Sequence, residues 1–330
     1  MTVESWSQEW LEVYKKPGLT DKSYKNIARH VNSVIIPQIG SLRLVDVTDV
    51  HLQKVLNSKA GFSYSEVKHL RDVLKAMFKK AAESTPKLIN DNPAKSLEMP
   101  THTKGKRRSI TVFERTHFLK AAMEHYAGLM FMTMFYCGVR TGEVVALSWK
   151  DIDFDNYKIK VVSAMEGGKD TLKGPKTEAG IREIPIPKEI YYELLKRRGD
   201  PFAPVFTQKT TGKRHTQSSR RAAWNSLKNA IDDSMGAAYK RVEAANGKKY
   251  KKKVLSVIAP DFVPYCLRHT YCTDLQAKGV PLKTASYLMG HSDISITANI
   301  YTHMTDDAMD EAARLVGAPS GVTPKNKKAK

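Results

Sequence analysis

Cysteine is nearly missing from this 330-residue chain, with Cys137, Cys266 and Cys272 as the only three. So odd and sparse a set cannot build a disulfide framework and suits a reducing compartment, which points to a cytoplasmic protein. Long apolar runs are missing too. The longest, from Gly128 to Val139, stops at Arg140, well short of the roughly 20 residues a membrane-spanning helix needs, so no membrane partner is expected. The opening MTVESWSQEW has neither the basic nor the apolar region of a signal peptide. No internal repeat is visible, no G-x-x-x-x-G-K-[ST] loop cradles a nucleotide, and no acidic cluster suggests a catalytic metal. Acidic residues are scarce against basic ones, 34 to 54, which leaves a net charge of +20. Such a surface suits a polyanion, nucleic acid before an acidic membrane surface.

Hydrophobic residues make up 41% and charged residues 27%, which excludes a disordered chain, and the length is about that of two domains. Residues 1–100 read as a small helical domain. Trp6, Trp10, Leu11 and Tyr14 form one helical stripe, and Tyr24, Ile27, Val31 and Val34 form a second behind the caps Thr20 and Asp21. Thr48 opens a third helix, and Ser63 with Glu66 predicts a capping box at the head of a fourth. Residues 101–108 read as a basic linker, 109–316 as a second, larger domain and 317–330 as a basic tail. In the second domain Thr111 and Glu114 predict another capping box. Tyr157–Val162 and Ile181–Ile186 switch to strand patterning, a small antiparallel sheet in a mainly α protein.

Four stretches put polar groups where the pattern expects packing. Cys137-Gly-Val-Arg140-Thr-Gly-Glu143 places an Arg three residues before a Glu at a helix start, a spacing that a plain surface ion pair also explains. Lys176 lies near the turn of a hairpin, where most lysines face water but an ammonium can also reach a ligand. Pro264-Tyr265-Cys266-Leu267-Arg268-His269-Thr270 gathers donors at a helix N-terminus, a natural anion site. Gly290-His291 precedes Tyr301 by a short helical stretch. Cys266, His269 and Cys272 lack the paired spacing of a zinc site, so no metal is assigned.

Taken in order, these four stretches resemble the boxes of the tyrosine recombinase or phage integrase family: G-x-R-x-x-E, K-T-x-x-x-x-R, H-x-L-R-H-T, and L-G-H with a Tyr soon after. The resemblance covers roughly 109–316 and extends to the helical region before it, which looks like the family's core-binding domain. It implies two domains clamped around double-stranded DNA, and a site-specific recombinase that acts through a 3′-phosphotyrosyl intermediate to integrate or excise a phage or mobile element. By the same resemblance Tyr301 is the nucleophile, Arg140 and Arg268 bind the scissile phosphate, Lys176 is the general acid and His291 donates to the phosphate. Glu143 orients its neighbours, and Tyr265, where the family most often has His, is a possible sixth catalytic position. The resemblance further implies no cofactor, a homo-tetramer on DNA with residues 305–330 docking on a neighbour, and accessory DNA-bending or directionality proteins. An arm-binding amino-terminal domain, common in integrases of mobile elements, has no counterpart in these residues, which fits a simple recombinase or a shortened one.

The chemistry suits these residue types. Guanidiniums bind phosphoryl oxygens bidentately and keep their charge, and a tyrosine hydroxyl, with a pKa of about 10, needs such a cationic surrounding to attack. Because a phosphotyrosine conserves the energy of the broken bond, rejoining needs no ATP. Lys106, Arg107 and Arg108 in the linker are expected DNA contacts, as are Lys249, Lys251 and Lys252. These last three lie in a basic run, 240–253, that reads as a solvated loop or, beside DNA, as a phosphate-neutralising one. Two rival functions stand: a type IB topoisomerase-like relaxing enzyme, and a catalytically inactive basic DNA-binding regulator.

Overall fold

The computed structural model describes residues 1–101, 108–166, 171–174, 178–243 and 249–301, with only the backbone of Glu178, Tyr250 and Tyr301. The chain divides into two compact units, Met1–Lys106 and Arg107–Lys330.

In the first unit, α1 (Val3–Trp10) runs into a π turn at Leu11–Lys15, and α2 (Asp21–His30) runs through a second π turn, Val31–Ile35, into α3 (Ile36–Ile39). Helices α4 (Asp49–Asn57) and α5 (Tyr64–Glu83) complete the bundle around Trp6, Trp10, Ile35, Leu52 and Phe78. Thr20 caps α2 as the sequence predicts, and Thr48 forms a full box with His51. Two expectations change. A π turn carries one residue too many for the α period, and it swings Tyr14 out of the stripe to 43% exposure under the Lys80 ammonium. Ser63 Oγ does accept the Glu66 N–H, but the Glu66 carboxylate, expected to close the box, pairs instead with Arg29 at 2.7 Å.

The second unit packs α6 (Val112–Glu124), α7 (Gly128–Cys137) and α8 (Thr141–Ala146) against a three-stranded antiparallel sheet. Its strands are β1 (Ile152–Asp153), β2 (Lys158–Val161) and β5 (Arg182–Pro185), with Ile159 opposite Ile184. Between them β3 (Ala164–Met165) pairs with β4 (Leu172–Lys173). Helix α9 (Lys188–Lys196) and the long α10 (Gln217–Ser234) follow. A hairpin of β6 (Ala238–Glu243) and β7 (Lys249–Leu255) then leads to α11 (Pro264–Ala277), α12 (Leu282–Met289) and α13 (Ile294–Tyr301). Phe118, Phe131, Ile159, Ile184, Leu227, Phe262 and Leu267 are part of one core. Thr111 and Glu114 form the expected capping box. Among the described residues no helix is long and apolar enough to cross a membrane.

Two more expectations are corrected here. The basic run 240–253 contains strands, not a loop, because Asp232 on α10 ties down its root: the carboxylate accepts from Lys253 Nζ (2.7 Å), Ser256 Oγ (2.8 Å) and the Val257 and Ile258 N–H groups. Arg108, assigned to the linker and to DNA, belongs to the second unit. Its guanidinium is spent on Glu114 at 2.6 and 2.7 Å and on Asp261 at 2.9 and 3.0 Å. Lys106 and Arg107 lie outside the described residues.

Candidate active site

The site begins where α7 ends. That helix is largely apolar and nearly all buried, and it stops at Gly138, whose φ of +63° favours glycine; a Cβ there would also come within 2.1 Å of the Tyr271 ring. Two residues on, the chain delivers Arg140 to the N-cap of α8. Glu143, one turn in, is 5% exposed and collects four hydrogen bonds: from the Arg140 N–H (2.8 Å), Arg140 Nη1 (2.7 Å), and Arg182 Nη1 and Nη2 (3.2 and 2.8 Å). Burial alone pushes its carboxyl up, but the bonds and charge of Arg182, then those of Arg140, more than offset this and hold the pKa down to about 2. The Arg140–Glu143 pair is therefore the base of a buried network, not a surface ion pair.

Arg182 has no role assigned from the sequence, yet it is the centre of this arrangement. It is 2% exposed on β5, and besides Glu143 it donates to the carbonyls of Leu288 (2.8 Å) and Gly180 (3.2 Å). A Cβ on Gly290 would fall 2.8 Å from its Nη1, so the glycine before His291 makes room for this guanidinium. Arg140 Nη2 donates to the Gly290 carbonyl at 2.8 Å. A signal for Arg182 did exist: strand alternation puts it on the same face as Ile184 and Ile186, which are both buried.

Arg268, on the second turn of α11, is 1% exposed. Its terminal nitrogens donate to the carbonyls of Gly138 and Met289, and its Nε has no hydrogen-bond partner among the described residues. Burial and then the charge of Arg140 lower its pKa. His291 lies beneath it, with Nε2 3.2 Å from Arg268 Nη2 and Nδ1 2.8 Å from Thr297 Oγ1. Burial, then Arg268, Arg140 and Arg182, depress its pKa to about 4, so the imidazole is neutral. The cluster thus holds three guanidiniums against one carboxylate.

Of the expected site residues, Arg140, Glu143, Arg268 and His291 converge, and Tyr265 stands one turn before Arg268, half-buried on α11. Lys176 lies outside the described residues, as does the segment 305–330. Tyr301 is described by its backbone at the end of α13, four residues after Thr297. Lys249, Lys251 and Lys252 are on β7, in the hairpin that precedes α11. His269, considered with Cys266 and Cys272 for zinc, has Nδ1 3.3 Å from Ser109 Oγ, and both sulfurs are buried.

Comparison with known proteins follows the same lines. The model of the phage integrase family matches residues 108–308, and that of the phage integrase N-terminal SAM-like domain matches residues 2–60. A XerC-like tyrosine recombinase of Caldanaerobacter subterraneus is 28% identical over 320 residues, spanning 92% of this chain and 78% of the relative. The transposase of transposon Tn916 from Enterococcus faecalis is 24% identical over 84% of this chain and 68% of its own length. The Tn1549 transposon integrase, solved in complex with transposon right end DNA, shares the fold with a TM-score of 0.74 at 22% identity, over 96% of this chain and 100% of that one. A lambda integrase tetramer bound to a Holliday junction shares it with a TM-score of 0.62 at 16% identity, over 93% of this chain and 79% of that one. With a family model covering more than half of its length, this chain belongs to the phage integrase family and is a tyrosine site-specific recombinase of the mobile-element kind.

Proposed function

We propose that the second unit breaks one strand of duplex DNA by attack of the Tyr301 hydroxyl oxygen on a phosphodiester. The bond to the 5′ oxygen breaks, that oxygen leaves with a proton from Lys176, and the 3′ phosphate stays on Tyr301. Attack by a 5′ hydroxyl of another strand reverses each step and releases the tyrosine. Arg140 and Arg268 hold the nonbridging oxygens as charge deepens in the transition state.

The observation that carries this reading is the surplus of cations around Glu143: Arg140, Arg182 and Arg268 against one carboxylate, with a neutral His291. A phosphate supplies the missing negative charge. It would also compete for the Arg268 donors now held by Gly138 and Met289, and an anionic oxygen is a stronger acceptor than a peptide carbonyl. His291 donates to the phosphate in this scheme only after its Nε2, an acceptor from Arg268 here, takes up a proton.

In the same proposal residues 1–100, within the first unit, are the core-binding domain, 101–107 the linker, 109–316, which Arg108 joins, the catalytic domain and 317–330 the tail, and the two domains clamp duplex DNA. The protein works as a homo-tetramer on DNA, with accessory DNA-bending or directionality proteins, in the cytoplasm. Tyr301→Phe tests the reading: it keeps DNA binding and gives no covalent product on a nicked suicide substrate, whereas wild type gives one and does so in EDTA. Covalent product from the mutant would falsify the assignment. Exchange between paired sites, against relaxation of any supercoiled plasmid, separates recombinase from topoisomerase.

A further inference from the structure

The β6–β7 hairpin is a two-stranded ribbon, with no third strand among the described residues. Its register sets Lys240 opposite Lys252 and Arg241 opposite Lys251, so each face of the ribbon carries a like-charged cross-strand pair. Such pairs oppose the pairing of the strands they sit on. All four residues are exposed, and among the described residues no carboxylate pairs with them. The charges that are neutralised lie elsewhere: Lys249 at the far end faces Glu243, and Lys253 at the root is held by Asp232.

The root is firm. Besides the Asp232 bonds, the Tyr239 hydroxyl donates to Asp233 at 2.5 Å, so both strands are tied to the end of α10. Lysines on a ribbon also blunt its edges against stray strand pairing. That purpose is served as well by an opposed acid and base, like Glu243 and Lys249, which costs the ribbon nothing. Repelling pairs held in register on both faces instead suit a ligand that is anionic on two sides.

We propose that this ribbon is a DNA arm: it lies along a groove of the duplex, Lys240 and Lys252 turned to one phosphate backbone and Arg241 and Lys251 to the other. The major groove of B-DNA admits a two-stranded ribbon. The arm adds affinity without reading bases, and the inference rests on the assignment of duplex DNA as the substrate.

The test replaces Lys240, Arg241, Lys251 and Lys252 together with Gln and follows equilibrium binding to an intact random-sequence duplex by fluorescence anisotropy from 50 to 200 mM KCl. Each phosphate that the arm no longer neutralises lowers the slope of log K against log salt by about 0.9, so the arm predicts a fall of about 1.8–3.6 for two to four phosphates, equal for unrelated sequences. Circular dichroism and the unfolding temperature establish that the variant is folded. An unchanged slope in the folded variant overturns the proposal, as does weaker binding confined to one sequence. The readout contains no cleavage step. A flat response beside intact covalent chemistry therefore sinks the arm alone, and a steep response beside absent covalent product sinks the nucleophile assignment alone.

Discussion

Arg268 and His291 meet across 3.2 Å, and chemistry fixes the direction of that bond. A guanidinium only donates, so His291 Nε2 accepts; its proton is then on Nδ1 and goes to Thr297 Oγ1, 2.8 Å away. Thr297 is fully buried on the helix that ends in Tyr301, so the bond ties that helix to the imidazole. Thr297→Val removes the acceptor and keeps the shape. It is expected to cost about 1–3 kcal/mol of stability and to slow single-turnover cleavage, with Thr297→Ser restoring both. The same neutral imidazole gives a pH signature. Its folded pKa of about 4 lies below the ordinary 6.5, so the unfolded chain binds more protons between those values and His291 costs stability as pH falls from 6.5 to 4, by about 3 kcal/mol in full. Denaturant titrations of wild type and His291→Gln measure it: the difference between them must shift against wild type over that window.

Glu143 joins Arg140 to a guanidinium that is almost entirely out of water. Glu143→Gln keeps the size and removes the charge, which leaves Arg182 buried without a counter-ion. The expected loss is about 3–5 kcal/mol, read as a drop in the unfolding transition, together with a fall in covalent yield. A loss under about 1 kcal/mol would show that the carbonyls of Leu288 and Gly180 suffice to hold Arg182.

How far the sequence reveals this site depends on whether the cause is local. The turn at Gly138, the arrival of Arg140 at a helix start and the Thr111–Glu114 box follow from neighbours in the chain, and they are legible there. Glu66 is not, because Arg29 from another helix takes its carboxylate. Nor is the β6–β7 hairpin: a lysine run has little strand preference, and the pairing is anchored by Asp232 from the preceding helix. Arg108 looks like part of a basic linker until Glu114 and Asp261 are brought to it by folding. Thr297 carries no local signal at all, since a hydroxyl on a short helix becomes informative only when His291 is found against it.

Lys176 is assigned the proton for the leaving 5′ oxygen, and a change of leaving group isolates that step. Lys176→Ala slows cleavage of ordinary DNA because the alkoxide departs unprotonated. A substrate with sulfur at the bridging 5′ position leaves readily without a proton, so it restores the mutant's rate toward that of wild type on the same substrate. If oxygen and sulfur substrates show an equal defect in single-turnover assays, Lys176 positions the DNA and is not the acid.

Tyr265 is the second residue of α11, one turn before Arg268, and its phenol lies near enough to bear on the Arg268 charge. From that place on the helix an imidazole would offer a phosphate a charged donor, whereas a phenol offers a neutral one at pH 7. If donation to a nonbridging oxygen is what the position supplies, Tyr265→His stays active, and Tyr265→Phe loses one hydrogen bond to an anion. That is about 1.5–3 kcal/mol, or on the order of tenfold to a hundredfold in cleavage rate. If the ring serves only to pack beside Arg268, the order reverses: Phe is nearly silent and His, smaller and more polar, is the damaging change. Single-turnover rates at saturating protein, with DNA affinity measured beside them, separate the two. We expect the first outcome, because Tyr265 stands in the first turn of α11, three residues before Arg268, at the place where the family's box most often has a His.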